Sequence, residues 1–500
     1  MAGRFKGSIL KLLKSPEIFG ADAFVDGTWV EARSKRRFEV EDPGSAEVIA
    51  TVADLDASDV DFAIASSKAA FEAFSESLPA RRSQLLLKWE QLIRNNLDDL
   101  ALVLTYETGK PLAESRGEFA YALSFNRWFA GEAERISGIT MQQAAVPRTT
   151  LTIKQPIGVV AALAPWNYPV AMLLRKVCAA LAAGCTVVCK PSPETPLTTL
   201  AVAYLAYEAG FPKGCLNVIT ASLENTPSVA EAICRHEAVK KITFTGSTRV
   251  GKLIATYAAQ GIKKVTLELG GNCPFIVFDD ASLDQAVDAL MRLKWGNSGQ
   301  TCVTANRVFV QDVVYDRFVE VFVQRTAQLK TGHGTDHDTN IGAMASRRGV
   351  AKVVDQVKDA LRQGATAALN GGPIGNCSGY FFKPTILTNV TLNMAVSKEE
   401  TFGPVASLIR FKTEQEAVTW ANETSMGLAS YVFTKNADRL WRMFRKLEAG
   451  MIGLNTGGMS SADSPFGGIK ESGYGKESGK GVAVDEYLIT KTGCLTVQDI

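Results

Sequence analysis

Histidine is nearly absent: the 500 residues hold only His236, His333 and His337. Three scattered histidines cannot build a histidine metal cluster, and the Gly/Asp/Thr-rich surroundings of His333 and His337 read as a solvated loop. Cys-x-x-Cys spacing is missing as well. The 9 cysteines are an odd, dispersed set; Cys185 and Cys189 lie four apart, but no second pair completes a zinc site. That usage fits a reducing compartment better than a disulfide scaffold. No basic tract stands out, and 54 basic residues nearly balance 52 acidic ones, so nucleic acid is not an expected partner. No membrane span is expected, because Pro165, Pro169, Arg175 and Lys176 interrupt the apolar region from Val159 to Val188. The start lacks the sustained apolar core of a secretory signal. Residues 1 to 14 carry Arg4, Lys6, Lys11 and Lys14 and no acid, a weak likeness to a mitochondrial presequence. The expected location is cytoplasmic, with mitochondrial as the alternative. Internal repeats and low-complexity tracts are also missing.

What is present is ordinary soluble-enzyme composition, 46% hydrophobic and 21% charged, in a chain long enough for more than one domain. Phe24 to Val30 reads as a hairpin around an Asp26-Gly27 turn. Ser58 to about Ile136 is mostly helical, with an amphipathic run from Arg81 to Asn95 and a break at Thr108-Gly109-Lys110-Pro111. From Thr149 to Thr266 strands and helices alternate, which argues for a doubly wound parallel sheet. Its strands fall at Ile157–Ala162, Thr186–Lys190, Leu216–Ile219 and Lys241–Thr245, its helices at Met172–Ala183 and Ala201–Ala209. Such sheets bind ligands at the carboxyl ends of their strands. A second α/β unit follows Asn272. The tail from Tyr487 to Thr496 alternates like an edge strand.

Three windows carry chemistry. The first is Gly296-Asn297-Ser298-Gly299-Gln300-Thr301-Cys302-Val303-Thr304. A thiol among small and amide residues suits a nucleophile, since a thiolate needs only a nearby base or dipole to form; a small buried hydrophobe is the competing reading. The second is Leu267-Glu268-Leu269-Gly270-Gly271-Asn272. A carboxylate at a strand end between leucines suits a general base with a raised pKa, against an exposed Glu in a polar turn. The third is Pro165-Trp166-Asn167-Tyr168-Pro169, a proline-held elbow whose Asn167 amide suits a developing oxyanion. Gly246-Ser247-Thr248-Arg249-Val250-Gly251 opens a helix after a strand, with Thr248 where a full Gly-x-Gly-x-x-Gly has its second glycine. It offers free N–H groups to a pyrophosphate, or it is a plain capped helix.

Together these windows resemble the aldehyde dehydrogenase superfamily, from about Ala23 to about Lys491. The resemblance implies an α/β fold with three parts. These are a Rossmann-type NAD(P)-binding domain (22–136 and 155–269), an α/β catalytic domain (270–472), and a β oligomerisation arm and tail (137–154 and 473–500). It implies a homodimer or homotetramer, no metal, and oxidation of an aldehyde to an acid with NADP or NAD. Cys302 forms a thiohemiacetal and then a thioester, Asn167 holds the oxyanion, Glu268 activates water, and Lys176 and Glu477 relay protons. Gly246, Ser247 and Gly251 sit beside the dinucleotide. Lys190 and Glu400 hold the two riboses, with Phe402, Trp166 and Leu269 at the cofactor. Members that prefer NAD often carry a Glu three residues after the lysine; here that place is Pro193. Ser192 is then free to donate to a 2′-phosphate, with Glu194 as the residue that works against it.

Arg175 to Val188 is most similar to the succinate-semialdehyde dehydrogenase subgroup, whose matching arginine binds the substrate's far carboxylate. Ser460, Ser461 and Phe466 complete the implied substrate end. Two departures stand out. A second arginine six residues before the nucleophile is Gly296 here, and a second cysteine two residues after it is Thr304. A less polar or larger aldehyde therefore stays open as substrate. So does a catalytically silent nucleotide-binding relative, and so does an acyl transferase using coenzyme A.

Overall fold

The computed structural model describes residues 4–5, 9–143, 148–375 and 377–496. The basic stretch expected near the start falls partly outside them, as do Val146 in the arm and the last four residues. Within them, Ile9 and Leu13 are buried, and the Lys14 backbone N–H donates to Asp99 Oδ2 at 2.8 Å.

The first large sheet has eight strands. Its five central strands run parallel in the spatial order Leu216–Val218, Thr186–Lys190, Val159–Leu163, Val239–Thr245, Lys264–Glu268. Chain order therefore reverses between Val159–Leu163 and Val239–Thr245. A crevice opens at the carboxyl ends where two neighbouring connections leave in opposite directions. The elbow after Leu163, Gly246 after Thr245, and Glu268 itself all lie at that edge. The Gly246 N–H donates to the Glu268 carbonyl at 3.0 Å, tying two strand ends together. The hairpin Ala23–Val25/Thr28–Val30 closes one side through a turn in which Asp26 and Gly27 both have positive φ (54° and 71°). Gly473–Tyr474 pairs antiparallel on the other side.

A second sheet of seven strands carries Cys273–Val277 and Ala305–Gln311 side by side. A three-stranded antiparallel sheet joins Leu488–Thr496, Arg148–Pro156 and Thr140–Gln142. Leu488–Thr496 lies at its edge, and all but Leu488 is exposed. No helix among the described residues is long and apolar enough to cross a membrane.

The helix Pro169–Ala183 is buried over its whole length. Its alanines and leucines favour helix and lose little side-chain entropy. Pro169 starts it at N1, and Gly184, at φ 93°, ends it in the left-handed region. It begins three residues earlier than the sequence suggests, because the elbow proline serves as its first residue. Likewise the helix expected at Ala201 starts at Pro196. The four helices Ala57–Phe74, Pro79–Asn95, Leu97–Thr108 and Leu112–Ala133 fill the region expected to be helical. His333 departs from the solvated-loop expectation: it is half-buried, with Nε2 2.8 Å from Asp42 Oδ2. His337 is exposed.

Candidate active site

Cys302, Glu268 and Asn167 line one cavity of about 630 Å³ at the carboxyl edge of the first sheet. The loop that presents Cys302 is strained. Asn297 (φ 49°) and Ser298 (φ 53°) both sit in the left-handed region, which costs roughly 1 kcal/mol or more per non-glycine residue. Hydrogen bonds hold it there. The Asn297 N–H donates to Glu114 Oε2 at 2.8 Å, Asn297 Nδ2 to the Asn167 carbonyl at 2.9 Å, and Ser298 Oγ to the Gly342 carbonyl at 2.8 Å. Gly271 is required beneath it, because a Cβ there would stand 2.4 Å from the Cys302 carbonyl oxygen.

The Asn167 amide donates one N–H to the Gln300 carbonyl at 3.0 Å, which leaves its second N–H available, and Asn167 and Cys302 line the same cavity. The cysteine is partly exposed to that cavity. Enclosure by protein pushes its thiol up to about 12, with the Glu400 carboxylate adding to the shift.

Glu268 is only 2% exposed, and neither carboxylate oxygen has a hydrogen-bond partner among the described residues. The exposed strand-end alternative is therefore excluded. Burial pushes its pKa up to about 8; Glu477 adds to this, while Arg175 and Lys176 oppose it.

Lys176 and Glu477 form a buried network behind the cavity wall rather than on its lining. Lys176 Nζ is bonded to Glu477 Oε1 and donates to Thr245 Oγ1 at 2.6 Å; Thr243 Oγ1 donates to Glu477 Oε1 at 2.6 Å. Burial alone would raise the Glu477 carboxyl, but Lys176 and Arg175 together hold it below the usual range. Arg175 lines the cavity at 1% exposure. Its Nε donates to Glu477 Oε2 at 3.2 Å, its guanidinium lies 4.0 Å over the Phe466 ring, and Nη1 is buried without a partner among the described residues.

At the other end of the cavity, Trp166 and Phe402 meet edge to face at 5.6 Å. Glu400 Oε1 accepts from the Gly271 N–H at 3.0 Å, and burial pushes the carboxyl up to about 7. The helix Thr248–Ala259 opens here, capped by Ser247 Oγ accepting from the Val250 N–H at 3.4 Å. Its other first-turn N–H groups point outward. These residues fit a dinucleotide. Gly246 and Gly270 keep the floor clear, and a Cβ at Gly270 would stand 3.0 Å from Glu400 Oε2. No group of three or more potential metal ligands occurs among the described residues.

The aldehyde dehydrogenase family model matches residues 29–493. The chain belongs to the aldehyde dehydrogenase family. It is 45% identical to succinate-semialdehyde dehydrogenase [NADP(+)] 1 of Schizosaccharomyces pombe, over 95% of each chain. It is also 45% identical to glutarate-semialdehyde dehydrogenase of Pseudomonas putida, over 97% of this chain and 100% of that one. The solved succinate-semialdehyde dehydrogenase from Burkholderia pseudomallei superposes with a TM-score of 0.94 at 44% identity, covering 97% and 100%. As an aldehyde dehydrogenase, this protein is an NAD(P)-dependent oxidoreductase.

Of the aldehyde dehydrogenase residues expected from sequence, Trp166, Leu269, Gly246, Ser247, Glu400, Phe402, Arg175, Ser460 and Phe466 share the cavity with the three central ones. Lys190, Ser192, Gly251 and Ser461 lie off its lining. Gly251 has a packing reason: a Cβ there would stand 2.4 Å from Leu269 Cδ2, so its absence lets helix and strand approach. Lys190 is buried, donates to the Pro191 carbonyl at 2.9 Å, and is lowered by burial to about 8. Ser192 Oγ is bonded to Glu194, so a 2′-phosphate would compete with that carboxylate for the hydroxyl. Ser461 Oγ donates to Asp463 at 2.5 Å instead of turning inward, whereas Ser460 Oγ lies 2.6 Å from the Tyr121 hydroxyl.

Sequence reading missed Lys110, Glu114, Glu118 and Tyr121. The last three recur at i, i+4 and i+7 on the helix Leu112–Ala133, a face that reads as solvated until the fold shows what covers it.

Proposed function

We propose that this aldehyde dehydrogenase oxidises a short aldehyde with a carboxylate at its far end, of the succinate-semialdehyde class, to the diacid. The observation that carries the substrate class is Arg175. A buried guanidinium in the cavity wall keeps one amino group, Nη1, without a partner among the described residues, which is costly unless a ligand satisfies it. Arg175 and Lys176 both pair with Glu477, so that carboxylate does not satisfy the guanidinium by itself. The names of the two curated relatives point the same way.

Cys302 gives up its thiol proton to solvent, and its Sγ adds to the carbonyl carbon as thiolate. The carbonyl oxygen becomes an oxyanion held by the free Asn167 N–H and the Cys302 backbone N–H; one such donor contributes about 2.7–4 kcal/mol. When bound, the nicotinamide supplies the hydride acceptor that converts this adduct to a thioester. Glu268 then takes a proton from water, the hydroxide adds to the thioester, and Cys302 leaves as thiolate. Lys176 and Glu477 carry the proton onward. Acid formed without coenzyme A separates this reading from acyl transfer, and any turnover separates it from a silent relative.

A base must be unprotonated to act. With Glu268 at about 8, kcat should rise with pH through roughly 8 and level off above it, with the steepest loss on going from pH 8 to 6. A pH profile that is flat from 6 to 9 would remove Glu268 from the rate-limiting proton transfer.

The substrate reading is tested by comparing succinate semialdehyde with neutral aldehydes of similar length, each with NAD and NADP. The acidic substrate should win, and Arg175→Met should erase its advantage mainly through KM. Neutral aldehydes winning by more than about tenfold in kcat/KM, about 1.4 kcal/mol, would overturn the Arg175 assignment.

We also infer that the arm pairs subunits. Ile139, Met141, Leu151, Ile153, Ile489 and Leu495 are exposed on it, more apolar surface than an unpaired sheet edge normally carries. The expected mass in sedimentation is that of a dimer or tetramer; a monomer at micromolar concentration contradicts this.

A further inference from the structure

Lys110 and Glu118 form a fully buried ion pair, Nζ to Oε2 at 2.5 Å. Such a pair adds little net stability over apolar residues of similar size, so folding alone gives no reason for the charges. Their remaining bonds all go to one place. Lys110 Nζ donates to the Asn167 carbonyl at 2.8 Å and lies 4.2 Å over the Tyr168 ring. Glu118 Oε1 accepts from the Val170 and Ala171 N–H groups at 2.9 and 3.1 Å. Those are orphan donors of the first turn of Pro169–Ala183, which has no side-chain cap of its own. One carboxylate therefore holds the elbow from its helix side, and the ammonium it is paired with holds it from the Asn167 side.

We propose that Lys110 and Glu118 are positioning residues for the oxyanion donor: they clamp both sides of the Asn167 elbow and fix where its amide points. Glu118 reaches the cavity wall, but its carboxylate is taken up by Lys110 and the two N–H groups, so each side chain acts through the backbone of residues 167 to 171. The Asn297 amide shares the same Asn167 carbonyl, so the clamp also sets the elbow against the cysteine loop. Glu114, one turn earlier on the Glu118 helix, holds the Asn297 N–H from the same face. Oxyanion and nucleophile are thus registered from a single helix.

This inference rests on the reading of Asn167 as oxyanion donor, and a double-mutant cycle separates the two. Lys110→Met, Glu118→Gln and the paired replacement are each made in the wild-type and Asn167→Ala backgrounds. The paired replacement leaves no lone buried charge, so it serves if a single variant fails to fold. In the wild-type background kcat should fall about 10–100-fold, the scale of a small misplacement of a reacting group. Substrate KM and the NADP dissociation constant should stay within about twofold. In the Asn167→Ala background the same changes should cost less than about threefold, because the group they position is gone. A loss of threefold or more in that background, or less than threefold in the wild type, overturns the proposal. If Asn167→Ala itself leaves kcat unchanged, the oxyanion reading fails first.

Discussion

Replacing Cys302 with alanine should abolish acid formation, by about 10⁴-fold or more, while the protein stays folded and still binds NADP. The size follows from the role. Without the sulfur there is no covalent adduct, and loss of a covalent nucleophile removes most of an enzyme's acceleration at one stroke. Stability should hardly change, since alanine removes one partly exposed sulfur from a loop that is anchored by Glu114, Asn167 and Gly342 instead. Cofactor affinity should persist because the Ser247, Glu400 and Phe402 end of the cavity is untouched. The measurements are acid by chromatography, reduced cofactor by absorbance, and NADP binding by titration calorimetry. Undiminished acid production would end the mechanism proposed above.

Replacing Glu268 with glutamine should leave a first turnover and suppress the rest. The amide keeps the shape but cannot take a proton from water, so the thioester outlives its formation. Rapid mixing should show a burst approaching one reduced cofactor per active site, followed by a steady rate lower by about 10²–10⁴-fold. Mass spectrometry should find an acyl group on Cys302. Absence of the burst, with both phases slowed alike, would assign Glu268 to thiol deprotonation and not to water.

The same variant has a stability signature whose sign follows from linkage. The Glu268 carboxyl is raised from 4.5 to about 8 on folding, chiefly by burial. Between those values the native state holds a proton that the unfolded chain has released. Stability therefore falls as pH rises through that window. Glutamine lacks this slope, so the variant should gain on the wild type in Tm as pH rises from 5 to 9.

Much of the fold and the central site could be read from residue order. Proline, glycine and cap residues punctuate the chain locally, and alternating apolar segments fall into few topologies. Thr186–Lys190 lies where expected, and Ser247 does cap the helix after Gly246. Other features needed contacts between residues far apart in the chain. His333 looked solvated because its partner, Asp42, is 291 positions away. Glu118 looked like an ordinary helix-face carboxylate because the N–H groups it accepts from are more than 50 residues on. Ser192 differs: its partner Glu194 is only two residues on, and the sequence already set that carboxylate against a 2′-phosphate.

Sequence by itself determined the reaction class: a cysteine, a carboxylate and an amide, each in a window of small residues at a strand end or elbow. Only the tertiary structure decided which charges are buried and what they face. Windows are set by short-range backbone sterics, which any ten residues carry with them. The state of Glu268, the spare N–H of Arg175 and the Lys110 clamp depend on desolvation and pairing, which exist only once distant segments have closed over one another.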